Sequence, residues 1–296
     1  MHVRKLRKRS ICILRNKLSK RQLAGMLFVL PGFSGVLVFC LIPFGDVVRR
    51  SVVRSDGSFC GLMNYKTVLS NEAFLLAARN TLRFTAVCIP LLFVIAFALA
   101  LLLGQAGARA KWYKSALLVP FAVPAASVAL LWRVLFDTKG LINGALAAFG
   151  RAGVDWMNTG NAFYVLVGSY LWKNTGYVVL LFLAALAQIP QTIYEAARMD
   201  GAGRMACFRY ITLPGIRCAS YTILVISLLN SFKVFREAYL VAGSYPQEDI
   251  YLLQHVFNNW FVRMDVGKMS AGAVLLALVI GACIGGLQRL WQGKEA

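Results

Sequence analysis

The sequence predicts an all-α membrane protein with six transmembrane helices, and three observations lead to that fold class. Of the 296 residues, 59% are hydrophobic and only 15% are charged, whereas a soluble domain carries about a quarter charged residues. Six apolar segments each have about the 20 residues that a helix needs to cross a bilayer. The 32 Lys and Arg residues outnumber the 12 Asp and Glu residues. Nine of the basic residues precede the first apolar segment, as in a cytoplasmic flank.

The predicted spans occupy residues 26–288 and are separated by more polar segments. The six spans are 26–45, 84–104, 115–136, 163–187, 219–241 and 269–288. They are flanked by a basic cytoplasmic tail, 1–25, and by a short cytoplasmic C-terminus, 289–296. The first span is longer than the apolar core of a signal peptide, which has about 7–15 residues, so we expect it to be retained.

Basic residues set the predicted orientation. With the N-terminus in the cytoplasm, the cytoplasmic segments hold 18 basic residues and the outer segments hold 10. Without the tail these counts become 9 and 10, so the orientation depends on the tail. We expect the tail to contact anionic membrane lipid as well. The net charge of +20 is compatible with nucleic-acid binding, but the position of the tail beside a span argues against nucleic acid as a partner.

Two features of the spans leave alternatives open. Pro31, Pro90, Pro120 and Pro124 indicate either kinks that aid packing or broken helices around a pathway. Between the first two spans, the second half of the segment 46–83 is partly amphipathic. That pattern indicates either a surface helix or a packed loop.

The segment 188–217, between the fourth and fifth spans, carries the strongest local signals. Ala196 and Ala197 give a helix a smooth face that another protein can approach closely. Gly201 allows the chain to turn, and Asp200 is placed to cap the helix that follows. The segment therefore predicts two short helices with a sharp bend, which serve either as a docking element or as an ordinary linker.

Prolines mark both ends of this segment. Pro190 suits the first turn of a helix, where a missing N–H costs nothing. Pro214 is expected to break the chain before the fifth span begins. Within the first helix, Glu195 and Arg198 are three residues apart and are predicted to be able to pair on the surface.

A set of spaced residues in this segment carries a family resemblance. The residues are Glu195, Ala196, Ala197, Asp200, Gly201, Ala202, Phe208, Ile211, Leu213 and Pro214. Their spacing resembles the EAA motif of the permease subunits of binding-protein-dependent ABC importers, in the form seen in carbohydrate uptake. Further segments are similar to the same family: Asn80-Thr81, Leu118-Val119-Pro120, Gly140 with Asn143, Trp172 with Gly176, and Ser231-Phe232-Lys233. One departure is Gly243-Ser244-Tyr245-Pro246, where many such permeases have Gly-Gly-Pro.

The resemblance implies the type I ABC importer architecture and a division of work among several chains. The segment 188–217 would be the coupling loop seated in a cleft of a cytoplasmic ATPase, with Glu195 meeting a cationic residue there. The implied partners are two ATP-binding subunits, a second and different permease subunit, an extracytoplasmic solute-binding protein and a sugar substrate. Because the sequence contains no G-x-x-x-x-G-K-[ST] motif, we expect this chain to bind no cofactor itself and to leave ATP to a partner.

Charged residues inside predicted spans are costly and indicate function. The residues that we assign to the substrate path are Tyr170, Trp172, Lys173, Asn174, Lys233 and Arg236. Aromatic rings suit the apolar faces of a sugar, and polar groups suit its hydroxyl rim. Because Glu237 is close in sequence to Lys233 and Arg236, a structural ion pair is the alternative.

Other functions remain open from the sequence. A permease of the same architecture could carry a non-sugar solute. An ATP-independent secondary carrier would need coupling-ion chemistry in the membrane and no EAA-like loop. A membrane-embedded enzyme would need a cluster of catalytic groups, which the spans do not offer, so we expect no enzymatic activity. The seven cysteines form no CxxC pair, so neither a disulfide framework nor a metal site is expected.

Overall fold

The computed structural model describes residues 20–54, 56–105 and 110–292. Their regular structure is helical, and the described residues contain a single isolated β-bridge, between Val53 and Phe59. The helices are α1 (Lys20–Val36), α2 (Ile42–Ser51), α3 (Met63–Leu69), α4 (Glu72–Gly104), α5 (Ala110–Ala122), α6 (Ala125–Phe136), α7 (Leu141–Ala148), α8 (Asn161–Ala187), α9 (Gln191–Met199), α10 (Arg204–Cys207), α11 (Leu213–Gly215), α12 (Arg217–Ser231), α13 (Phe235–Ala242), α14 (Leu253–Val262) and α15 (Val266–Gln292). Most of the predicted tail, residues 1–19, and residues 293–296 lie outside the described residues.

The helical bundle confirms the predicted fold class. Five helical stretches are long and apolar enough to cross a membrane, and a bent pair of helices brings the number to six if it forms one span. The five stretches are Gly25–Ser51, Glu72–Gly104, Asn161–Ala187, Arg217–Ala242 and Val266–Arg289. Each contains most of a segment that the sequence predicts as a span.

The predicted third span, 115–136, is a broken helix in the structure. Residues Lys111–Ala122 and Ala125–Ala148 meet at an angle of 93°. Pro124 occupies the N-cap position of α6 in an extended conformation, because a proline lacks the N–H that would continue the helix and biases Val123 away from helical geometry. A packing kink is therefore the wrong interpretation at Pro124, and the alternative of a broken helix is correct there.

The second long helix begins 12 residues before the predicted start of its span. α4 starts at Glu72 because the Asn71 side chain accepts a hydrogen bond, 2.9 Å long, from the Phe74 N–H, which is a normal N-cap. Between α2 and α4, the described residues contain one short helix, α3, whose Val68 is buried. The amphipathic pattern is thus divided between α3 and the first turns of α4.

Short π-helical turns precede two of the prolines. Leu37–Leu41 lies before Pro43, and Phe208–Thr212 lies before Pro214. A proline ring collides with the carbonyl of the residue four positions earlier, and a wider turn relieves that collision. Pro214 therefore does not break the chain as predicted, and the helix changes direction at Ile216 instead.

α8 lies at the centre of the main core and packs against both α4 and α5. Leu166 and Phe182 of α8 are fully buried. The Phe182 ring meets Phe93 and Phe97 of α4 at centroid distances of 5.0 and 5.2 Å. Since lipid is as apolar as these side chains, close van der Waals packing of this kind holds membrane helices together.

Gly176 allows α5 to approach the backbone of α8. A Cβ atom on Gly176 would lie 1.7 Å from the Leu117 carbonyl oxygen, so no larger residue fits without moving α5. Next to this contact, the Phe121 and Tyr177 rings stack at 5.0 Å. The glycine that takes part in the family resemblance is therefore a packing residue.

Two other residues that carry the family resemblance, Asn80 and Asn143, bind loops to the bundle through hydrogen bonds. The Asn80 amide donates to the carbonyls of Glu248 and Tyr251. The Asn143 amide donates to three carbonyls, and its oxygen accepts from the Val154 N–H and the Trp156 indole. Both asparagines lie on the side of the bundle opposite to the segment 188–217.

Candidate functional site

A cavity of 340 Å³ lies where α8, the α12–α13 junction and the break between α5 and α6 meet. Its lining residues are Phe121, Ala122, Val123, Pro124, Ala125, Ser169, Tyr170, Lys173, Asn174, Asn230, Lys233, Val234, Arg236 and Glu237. Lys173 is the thirteenth of the 27 residues of α8, so the cavity lies near the middle of a candidate span. Five of the six residues predicted for the substrate path line this one cavity.

An ion pair crosses the cavity from α8 to α13. The Lys173 Nζ lies 2.5 Å from the Glu237 Oε1, and the side chains are only 21% and 6% exposed. The Glu237 Oε2 is buried and has no hydrogen-bond partner. A buried carboxylate with one unpaired oxygen is costly, which makes this atom a candidate acceptor for a ligand.

Lys233 and Arg236 add two further cations to the cavity. Both side chains are exposed, and neither forms an ion pair with a described residue. Lys233 lies within a short 3-10 turn, Phe232–Val234, that separates α12 from α13, and Arg236 lies in the first turn of α13. The predicted alternative, an ion pair of Glu237 with Lys233 or Arg236, is therefore wrong, because Glu237 pairs with Lys173 instead.

Tyr170 and Asn174 lie in the cavity wall with part of their polar capacity already used. The Tyr170 hydroxyl donates to the Ser227 carbonyl at 2.9 Å, and the ring is almost fully buried. The Asn174 amide donates to the Tyr170 carbonyl at 2.8 Å. The Asn174 side-chain oxygen accepts no hydrogen bond from a described residue and is thus left as an acceptor in a residue that lines the cavity.

Trp172 does not line this cavity. Successive residues on a helix point about 100° apart, and Trp172 consequently lines two apolar surface grooves beside α5 and α6. Ser169 and Asn230 also line the cavity and were not predicted, although each is three or four residues from a lysine of the cavity and thus on the same helix face. That periodicity is the signal that could have found them.

The segment 188–217 forms the bend that the sequence predicts. Gly201 has φ +83°, a left-handed conformation that favours glycine. Its N–H bonds the Arg198 carbonyl, and the Ala202 N–H bonds the Ala197 carbonyl, which together form a Schellman motif. Gly201 therefore ends α9 and turns the chain.

Three details of the predicted segment are wrong. Asp200 is the C-cap residue of α9, and Gly203 is the N-cap of α10. Glu195 forms no ion pair with Arg198 in the described part of the chain. Pro190 precedes the first helical residue as N-cap of α9, one position before the predicted first turn.

One face of the segment is anchored to the bundle. The hydroxyls of Tyr194 and Thr212 lie 2.9 Å apart, and Thr212 is buried. The Phe208 ring stacks on Phe97 of α4 with centroids 6.1 Å apart. The first contact joins α9 to the π-turn, and the second ties the π-turn to α4.

The opposite face of the segment is uncovered. Glu195 and Ala196 are exposed, as are three large apolar residues, Met199, Met205 and Tyr210. Met199 is 88% exposed, although it lies beside a tight turn and not in a candidate span. Asp200, Leu213 and Pro214 are also exposed, and Ala197 and Ala202 are half-buried.

Apolar spans, a charged cavity between them and a firmly anchored loop with an uncovered outer face define a polytopic membrane transport subunit. The family described as binding-protein-dependent transport system inner membrane component matches residues 92–293. The chain belongs to this family. The resemblance to permease subunits of binding-protein-dependent ABC importers of the carbohydrate-uptake type is thereby confirmed.

Curated relatives cover most of the chain. The sn-glycerol-3-phosphate transport system permease protein UgpA of Yersinia pestis is 32% identical over 262 residues, covering 86% of this chain and 89% of the relative. The trehalose/maltose transport system permease protein MalF of Thermococcus litoralis is 30% identical over 263 residues, covering 86% and 89%. The arabinooligosaccharides transport system permease protein AraP of Bacillus subtilis is 31% identical over 271 residues, covering 88% and 86%.

A solved structure has the same fold. A chain of a bacterial ABC transporter involved in the import of the acidic polysaccharide alginate matches with a TM-score of 0.80. The match covers 92% of this chain and 96% of that chain at 20% sequence identity. The predicted type I importer architecture is therefore confirmed at the level of the fold.

Proposed function

We propose that the chain is one of two membrane subunits of an ATP-driven importer for a sugar or oligosaccharide, and that its cavity is part of the translocation path. One observation carries the proposal. Tyr170, Lys173, Asn174, Lys233 and Arg236 were selected from the sequence as path residues, and they converge on one polar cavity beside a broken helix. The names of the relatives, with trehalose, maltose and arabinooligosaccharides as their solutes, support a sugar.

We propose further that the segment 188–217 is the contact with an ATP-binding subunit. Its anchored face transmits movement to α4 through Phe208, while the Tyr194–Thr212 hydrogen bond joins α9 to the π-turn that carries Phe208. Its uncovered face offers Glu195 for a cation, Ala196 for close approach, and exposed apolar residues for burial. A segment that binds a partner with one face and packs against the spans with the other is suited to transmit movement of the partner to the spans.

The remaining assembly follows from this assignment. The protein lies in the cell membrane, with the segment 188–217 and both termini on the cytoplasmic side. The basic tail contacts anionic lipid. Two ATP-binding subunits supply ATP hydrolysis, so this chain needs no cofactor and performs no enzymatic reaction. A second permease subunit completes the path, and an extracytoplasmic solute-binding protein delivers the solute. A non-sugar solute is the second candidate, because one relative is named for sn-glycerol 3-phosphate.

The test is ATP-dependent uptake by the purified complex in proteoliposomes, with Glu195→Ala as the key variant. We expect this variant to lose at least tenfold in solute imported per ATP hydrolysed, or to lose the ATP-binding subunit on purification. Glu248→Ala is the matched control, because Glu248 is also an exposed glutamate but lies on the opposite side of the bundle.

Two results would contradict the proposal. One is wild-type uptake and normal assembly in Glu195→Ala, which would remove the coupling role of this residue. The other is a chain that purifies alone and moves solute without ATP, which would favour a secondary carrier.

A further inference from the structure

We infer that the solute accepted by this cavity carries a negative charge as well as hydroxyl groups, as an acidic sugar or a sugar phosphate does. The inference rests on the proposed function and narrows its substrate class. It follows from the balance of charge in the cavity, from the end of a helix in its wall, and from one unsatisfied buried oxygen.

The cavity holds more cations than carboxylates. Lys173, Lys233 and Arg236 line it together with a single acidic residue, Glu237. Glu237 is already paired with Lys173 at 2.5 Å. Two cations, Lys233 and Arg236, are therefore left without a carboxylate within 4.0 Å among the described residues.

The position of Lys233 makes an unpaired charge unfavourable. Lys233 is nine residues before Ala242, the end of its candidate span, which corresponds to about 13 Å along a helix axis. That distance exceeds the reach of a lysine side chain, so the ammonium group cannot extend along its own helix to the polar edge of the membrane. A charge at such depth normally has a counter-ion or faces a water-filled path.

The wall opposite these cations adds to the positive potential. α6 is a 12-residue helix that begins at Ala125, and both Pro124 and Ala125 line the cavity. The first N–H groups of a helix have no acceptor within it, and they carry a partial positive charge. No side chain caps this helix end. Free donors and two unpaired cations thus surround one space, and an anionic group satisfies all of them.

The same cavity also offers acceptors to hydroxyl groups. The Glu237 Oε2 is buried, lacks a partner, and belongs to a side chain that is 6% exposed. The Asn174 oxygen is a second acceptor, because only the amide nitrogen of Asn174 is bonded. Hydroxyl hydrogens of a sugar suit both oxygens, whereas a bare inorganic anion would leave them unsatisfied.

The test is a competition experiment that measures which solutes the complete importer takes up from a mixture. Proteoliposomes with ATP and the solute-binding protein receive an equimolar mixture of neutral mono- to pentasaccharides, the matching uronates and the matching sugar phosphates. Mass spectrometry then compares the imported compounds. We expect anionic members to be imported at least tenfold more than their neutral counterparts.

The outcomes separate this inference from the proposed function. Import of neutral sugars alone overturns the inference and leaves a sugar permease. No ATP-dependent import of any member contradicts the proposed function, and the inference falls with it.

Variants test whether these two cations select the solute. Lys233→Gln and Arg236→Gln should each lower uptake of the anionic solute about tenfold, with normal abundance and a normal melting temperature. Lys139→Gln is the control, since Lys139 is exposed in a loop outside the cavity. Unchanged selection of anionic over neutral compounds in both variants, at normal assembly, would show that these cations do not select the solute and would overturn the inference.

Discussion

Lys173 of α8 and Glu237 of α13 are 64 residues apart in sequence, and each supplies the charge that the other needs in a poorly hydrated place. A buried ion pair of this kind contributes little net stability, but removal of one partner leaves an uncompensated charge. The pair therefore serves either to join α8 to α13 or to shape the path. Single and double variants separate these two roles.

The first prediction concerns this pair. Lys173→Met should destabilise the protein by about 3–5 kcal/mol, because Glu237 then remains buried without its cation. The double variant Lys173→Met/Glu237→Met removes both charges and should recover most of the melting temperature. If the pair lines the path, uptake by the double variant stays at least tenfold below wild type. Thermal unfolding of the purified complex and uptake at matched abundance provide the two readings.

A purely structural pair would give a different pattern. The double variant would then recover uptake together with its melting temperature, and Lys173 would no longer be a path residue.

Single residues were predictable from sequence where local chemistry decides their place. Gly201 is an example, because a turn that needs positive φ selects glycine within the motif itself. Trp172 is the opposite case, since its neighbour Lys173 faces the cavity and the direction of each side chain depends on which helices pack around α8. Asp200 is not the N-cap of α10, as predicted, because Gly201 turns the chain directly after it. Asp200 is instead the C-cap of α9.

At the scale of elements, the contact between α5 and α8 depends on the absence of a side chain at Gly176. A Cβ there would meet backbone and not a flexible side chain, so the helices cannot adjust by a rotamer change. The half of the third span before the break is thus positioned by one glycine.

The second prediction tests this contact. Gly176→Ala should destabilise the purified complex by about 1–3 kcal/mol through overpacking, and it should reduce uptake because α5 forms part of the cavity wall. Gly168→Ala is the matched control in the same helix, since nothing lies within 4 Å of a Cβ at that position. Equal melting temperatures for the two variants would contradict the packing role.

The presence of each membrane span was more predictable from the sequence than the bends and the end points of its helices. The six apolar runs mark the spans because a bilayer imposes their length. The 93° bend after Ala122 was not predictable, because proline permits either a kink or a break and tertiary packing chooses between them. The start of α4 at Glu72 was missed for a related reason: its first turns are polar and lie outside the apolar run, while Asn71 supplies the cap.

At the scale of the whole molecule, a second core holds α3, the start of α4 and the start of α15 against α14. His255 of α14 is fully buried, and its Nδ1 accepts a hydrogen bond from the Leu252 N–H at 3.0 Å. Burial lowers the pKa of His255 from 6.5 to about 4. The folded protein therefore holds this side chain neutral at a pH where the unfolded chain protonates it.

The third prediction follows from the sign of that change. The stability contributed by neutral His255 is complete above pH 6.5 and is lost as the pH falls from 6.5 towards 4, by about 3 kcal/mol. Melting temperatures of the detergent-purified complex at pH 7.5 and pH 4.5 should show this loss. His255→Asn keeps an acceptor but does not titrate, so its loss over the same range should be clearly smaller. An equal loss would assign the effect to carboxylates elsewhere.

The broken third span divides the wall of the cavity between two partners. Its first half, α5, is fixed against α8, while its second half, α6, packs on α13. The break thus forms a joint in the wall: rotation of α6 about Val123 and Pro124, together with α13 about the 3-10 turn Phe232–Val234, would widen or close the cavity. Such a movement would admit or release a solute while the packing of α5 against α8 stays intact, and it would have to stretch the Lys173–Glu237 pair.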